Sequence, residues 1–131
     1  MGRYAFFNTG FEYKFWFAIQ PSFDIAEFGG TDTTTGDSYS HKWSAADKEV
    51  VLKELELMSK FFDLKMPKFE KFEKTSKGTW AFECDDADSW APCNRGGLDD
   101  FMAGKWAKFK LGCLIYHQLL YKDELTCRYE V

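Results

Sequence analysis

The chain has 131 residues, 45% of them hydrophobic and 19% aromatic, with 17 basic and 21 acidic side chains for a formal charge of −4. That length suits one domain with a real core, and so much apolar content excludes disorder throughout. The mild acidity argues against nonspecific nucleic-acid binding, which needs a basic footprint.

Tyr4 to Ile19, YAFFNTGFEYKFWFAI, reads as two strands joined by a turn at Asn8-Thr9-Gly10. Phe11, Tyr13, Phe15, Phe17 and Ile19 alternate with Glu12, Lys14, Trp16 and Ala18, the period of two of a half-buried strand. A hairpin alone is marginally stable, so other elements are expected to cover this aromatic face. Gln20-Pro21-Ser22 ends the second strand, because proline cannot extend a ladder. Phe23 to Phe28 reads as a helical turn or an edge strand. Gly29 to Ser38, GGTDTTTGDS, reads as a flexible connector. Its glycine pair and threonine run hint at phosphate, but it lacks the Gly-Lys-Ser/Thr of a phosphate-binding loop.

Ser44 opens the strongest predicted helix, residues 44–63, with Asp47 at capping-box spacing. Val51, Leu55, Met58 and Phe62 form its apolar stripe, widened by Leu52 and Phe61. Pro67 limits it. Lys68 to Lys74, KFEKFEK, reads as a short helix with Phe69 and Phe72 on one side. Thr79 to Cys84 alternates as a strand, and Asp85 to Gly97 is an acidic, then glycine-rich loop. The stripe Leu98, Met102, Trp106, Phe109, Cys113, Tyr116 and Leu120 predicts a second long helix over 98–121. Gly104 and Gly112 weaken it by about 1 kcal/mol each. The tail Leu125 to Val131 alternates and is expected to close the sheet as a last strand. The fold predicted is one α+β domain: an antiparallel sheet seeded by the N-terminal aromatic hairpin, with two main helices packed on it.

Charge falls in blocks. Residues 59–78 carry 6 Lys against 3 acids, and residues 79–100 carry one Arg against 6 acids. Such blocks suit complementary patches within the fold or between copies, although an ordinary solvated surface is the favoured reading of them. Fourteen Phe, six Tyr and five Trp are many for this length, so part of them is expected in a surface patch or groove. No leader pattern opens the chain, and MGRYAFF lacks the Ser or Thr of a myristoylation site. There is no apolar run of about 18 residues, so no membrane span is expected. The four cysteines are then expected as reduced thiols in an intracellular compartment.

Site chemistry is thin. Cys84, Cys93, Cys113 and His117, with Cys127, are the candidate metal ligands, and Cys113 and His117 share a helix face at i, i+4. There is no Cys-x-x-Cys knuckle, and buried cysteine is commonly a small hydrophobe. Asp85, Asp86 and Asp88 offer carboxylates to a hard cation, but Trp90 and Ala91 break the calcium-loop pattern. Cys93 or Cys113 could be drawn beside His117 as a nucleophile–base pair, and His41 is the only other histidine. No hydrolase or protease motif accompanies them. Lys65, Lys68, Lys71 and Lys74 interleave with Phe69 and Phe72 as in single-strand binders, but Glu70 and Glu73 halve that field. The expectation is therefore no catalytic residue, no metal and no cofactor.

MGRYAFFNTGFEYKFWFAIQPS and KLGCLIYHQLLYKDELTCRYE resemble small uncharacterised proteins of large double-stranded DNA viruses of algae and protists. The resemblance covers the two ends of the chain and implies a host-cytoplasm or virion setting. It carries no catalytic residue. The function expected is a non-enzymatic protein-interaction or assembly module that uses surplus aromatic surface, as a homodimer in one form. The alternatives are a small-ligand binder or enzyme with an aromatic-lined pocket, and a single-stranded nucleic-acid accessory protein.

Overall fold

A computed structural model of the protein describes residues 3–14, 20–61, 69–74, 80–84 and 100–131. The N-terminal hairpin is β1, Tyr4–Phe7, and β2, Glu12–Lys14. The turn closes through Phe7 N–H to Phe11 O at 3.0 Å and Gly10 N–H to Phe7 O at 2.9 Å. Gly10 sits at φ 89, a left-handed conformation that glycine adopts without penalty. The remainder of the predicted second strand, 15–19, lies outside the described residues.

Pro21 opens α1, Pro21–Ala26, at a position where its missing N–H costs nothing. Asp24 accepts the Gln20 N–H at 2.6 Å. Of the two readings of residues 23–28, the helical turn holds. Residues 29–38 are not the plain connector expected. Thr31–Asp32 form β3, an edge strand on β4, Ser40–Ser44. Thr35 and Ser38 exchange backbone hydrogen bonds of 3.0 and 2.9 Å across a two-residue turn. Gly36, at φ 56, occupies the first central position of that turn. Short strands with glycine-rich turns carry too few apolar residues for periodicity to reveal them.

A 3-10 turn, Ala45–Asp47, leads into α2, Lys48–Phe61. The acid half of the expected cap forms, with Ser44 N–H donating to Asp47 Oδ2 at 2.7 Å. Val51, Leu55 and Met58 are buried as the stripe requires. Phe61 is not: it is 81% exposed, so it does not widen the buried face. Phe62 and Pro67 lie outside the described residues.

The KFE triplets do not form a helix. Phe69–Lys74 is β5, paired antiparallel with β6, Trp80–Cys84. Phe69 stands opposite Cys84 and Phe72 opposite Phe82, so three steps along β5 match two along β6. This irregularity absorbs the period of three into a strand and ranks above the i, i+3 spacing read from sequence. The second long helix is α3, Asp100–Leu119, and the last strand is β7, Glu124–Tyr129. β7 does not close the sheet at an edge but takes its centre, in the order β2-β1-β7-β4-β3, all antiparallel.

The sheet is two-faced. Ala5, Phe7, Tyr13, Trp43, Leu125, Cys127 and Tyr129 point into one core shared with α1, α2 and α3. α3 is buried nearly all round from Ala107 to Leu119, including Lys108, His117 and Gln118. Lys108 forms ion pairs with Glu27 and, at 3.7 Å, with Asp24, which fasten α1 to α3. Thr9 Oγ1 donates to Gln118 Oε1 at 2.6 Å, and Gln118 Nε2 donates back to Leu114 O. The buried amide is therefore paired on both sides, as burial demands.

Gly112 has a steric reason. A Cβ there would overlap the Phe28 ring and stand 2.8 Å from Leu55 Cδ2. Phe28 is fully buried and its carbonyl accepts the Trp43 Nε1–H at 3.2 Å, so the ring cannot swing away cheaply. On an open helix Gly→Ala stabilises by about 1 kcal/mol. Here Gly112→Ala is expected to lower stability by roughly 1–3 kcal/mol, the usual range for overpacking, read as a lower urea midpoint at unchanged slope.

Candidate binding face of the sheet

The alternation that buries one face of the sheet sets a second row of side chains on the other. Register aligns Glu12, Phe6, Arg128 and Ser40 across β2, β1, β7 and β4. A neighbouring row places Thr126 beside Lys42 and Thr31. Tyr4 and Phe6 stack with ring centroids 6.3 Å apart. The Arg128 guanidinium lies over the Phe6 ring, 5.5 Å from its centroid. Two open grooves run along this face, of about 710 and 540 Å³, and Phe6, Ser38 and Arg128 line both. The Thr35–Ser38 turn and the end of the chain, Glu130 and Val131, border the larger one.

The charges on this face are unequally satisfied. Lys42 Nζ meets Glu124 Oε1 at 2.9 Å, an exposed pair worth about 1 kcal/mol at most. Glu130 Oε1 accepts the Tyr4 N–H at 2.8 Å. Among the described residues no carboxylate forms a salt bridge with Arg128, which is exposed and lies over the Phe6 ring. Thr33 and Ser40 hydroxyls share a hydrogen bond of 2.6 Å next to it. Hydroxyls, one unpaired guanidinium and two stacked rings can bind and orient a ligand. They supply no nucleophile–base pair.

The residues singled out from sequence lie elsewhere. Cys113 and His117 are fully buried one turn apart on α3, and Cys127 is buried on the inner face of β7. Cys84 is described by its backbone alone, at the end of β6, and Cys93 lies outside the described residues, as do Asp85, Asp86, Asp88, Lys65 and Lys68. Among the described residues no three His, Cys, Asp or Glu side chains gather as a metal-binding group. His41 is buried and its Nε2 meets Gly29 O at 2.6 Å, which ties the glycine pair to β4. Its ring also packs on Trp43, 4.7 Å between centroids. Among the described residues, no helix is long and apolar enough to cross a membrane.

Sequence reasoning missed Phe6 and Arg128. The outward position of Arg128 was legible, because Leu125, Cys127 and Tyr129 claim the core side of the same strand. That of Phe6 was not, because Tyr4-Ala5-Phe6-Phe7 is apolar on both faces. No family model matches the chain, and no curated protein or solved structure matches it.

Burial shifts two of the candidate groups. Cys127 is pushed up to about 12, chiefly by burial. It is therefore a thiol at neutral pH, not the thiolate that reacts or ligates. Native protein at pH 8 is expected to leave Cys127 unmodified by iodoacetamide over an hour, while protein in denaturant is modified fully. Peptide mass spectrometry reads the difference.

His117 is lowered to about 4 by burial, against about 6.5 in an unfolded chain. The unfolded state thus binds a proton that the folded state refuses between those values, so stability falls as pH drops through that window. The slope of this group approaches one proton, about 1.4 kcal/mol per pH unit. His117→Gln is expected to flatten the fall in urea midpoint between pH 6.5 and 4 relative to wild type.

Proposed function

We propose that this chain is a non-enzymatic protein-interaction module and that the open face of its five-stranded sheet is the binding surface. The observation that supports this most is Arg128 laid over Phe6 between two grooves, with no acidic partner among the described residues. Arg and aromatic residues are enriched in binding hot spots, and here the two lie together on an exposed face. The grooves are shallow and open, a shape that suits a side-chain-by-side-chain contact better than enclosure of a small molecule. On the same reading the module works in an assembly setting, the host cytoplasm or a virion, as the resemblance of its two ends to viral proteins implies.

The test joins native mass spectrometry over a concentration series with selection of a displayed random 12-residue peptide library on wild-type protein. Either a dimer or enriched peptides are expected. Phe6→Ser combined with Arg128→Ala is expected to weaken that contact at least tenfold, the loss of about 1.4 kcal/mol typical of a central contact, with the melting temperature changed by only a few degrees. A monomer at all concentrations that enriches no peptide would sink the reading. So would a contact indifferent to both substitutions.

A further inference from the structure

We infer that the Arg128–Phe6 pair is a subsite for a single carboxylate, and that the partner is a peptide segment presenting one Asp or Glu side chain next to an apolar residue. This rests on the interaction-module reading and names the chemistry of its partner. Guanidinium presents parallel N–H donors that match the two oxygens of a carboxylate, and that fit is planar. The Phe6 ring, its centroid 5.5 Å from Arg128 Cζ, attracts the cation from one side, and Arg128 is exposed to an incoming group. Across the ladder from Arg128 stands Ser40, whose hydroxyl, with that of Thr33, is a further donor within the same groove system.

The carboxylates nearby do not take this place. Glu124 is engaged by Lys42, and Glu130 by the Tyr4 amide. Those same acids decide between kinds of anion. Glu12 is the register partner of Phe6, Asp37 and Glu130 line one groove, and Glu124 lines the other. One carboxylate can meet Arg128 and avoid them. A chain of phosphates cannot, because successive charges along the face would meet Glu130 or Glu124, and like charges facing each other select against a partner. The stacked Tyr4 and Phe6 rings, immediately beside the guanidinium, supply apolar surface for the neighbouring side chain.

The probes are N-acetyl-Phe-Asp-Phe-amide, its Asn counterpart, and an eight-nucleotide oligothymidylate, each titrated into nitrogen-15-labelled full chain. The Asp peptide is expected to shift the Arg128 side-chain Nε–H signal and the amides of Phe6, Ser40 and Arg128. It should bind roughly fivefold tighter than the Asn peptide, a modest ratio because the site is open to water. Arg128→Gln is expected to erase that ratio while leaving the rest of the amide spectrum in place. Arg128→Lys, which keeps the charge and loses the fork, should fall between. Equal affinity for the Asp and Asn peptides, tighter binding of the oligonucleotide, or no shift with any probe would overturn the inference. If the displayed library enriches peptides without an acidic residue, the interaction module stands and the carboxylate subsite falls. If there is neither self-association nor enrichment, both fall.

Discussion

The structure depends on the antiparallel insertion of β7 between β1 and β4. β7 hydrogen-bonds to both neighbours, with Phe6 and Ser40 each opposite Arg128 on either side. Remove it and the sheet divides into two hairpins, β1–β2 and β3–β4, each below the size that is stable alone. Asn8, in the first turn, reinforces the junction. Its side chain donates to Glu124 O and accepts from Thr126 N–H, at 3.2 and 3.1 Å, and its backbone N–H bonds Thr126 O. These pairings join the two ends of the chain, so loop closure must precede their reward.

The helix α3 carries the other half of the core. It is buried on nearly every side, yet it contains a lysine, a histidine and a glutamine. Each has a separate physical solution. Lys108 is ion-paired with Asp24 and Glu27, Gln118 is hydrogen-bonded from both ends, and His117 stays neutral because burial lowers its proton affinity. The ion pair also locates α1, which brings Phe28 onto Gly112 and beneath Trp43. A polar contact thus sets a steric one, and the steric one dictates glycine in mid-helix.

With the helices all on one side, the opposite face of the sheet keeps its own chemistry. This face carries both signs: Lys42 is paired with Glu124, while Glu12, Asp37 and Glu130 add acidic charge around it. Arg128 sits among them over the Phe6 ring. Its guanidinium offers several N–H donors in the fork geometry that suits a carboxylate.

Much of the architecture was legible in the sequence. Period two marked β2, β6 and β7, and the Asn8-Thr9-Gly10 turn marked β1 beside β2; period 3.6 marked α2 and α3, because burial of one face writes itself into the spacing of apolar residues. Three things were not legible. The KFE triplets obey helical spacing, yet a register irregularity lets a strand hold them. The 29–38 segment is too short and polar to show a period, yet backbone hydrogen bonds give it an edge strand and a tight turn. The strand β4, Ser40–Ser44, was not read either, because His41 and Trp43 are its only buried residues. By itself, then, the sequence marked α2, α3, β2, β6 and β7 through the spacing of their apolar residues, since that spacing is a local property of the chain. Only the tertiary structure decided that β7 lies at the centre of the sheet and that Arg128 rests on Phe6. Periodicity reports which way a side chain points and carries no information about which strand lies beside it.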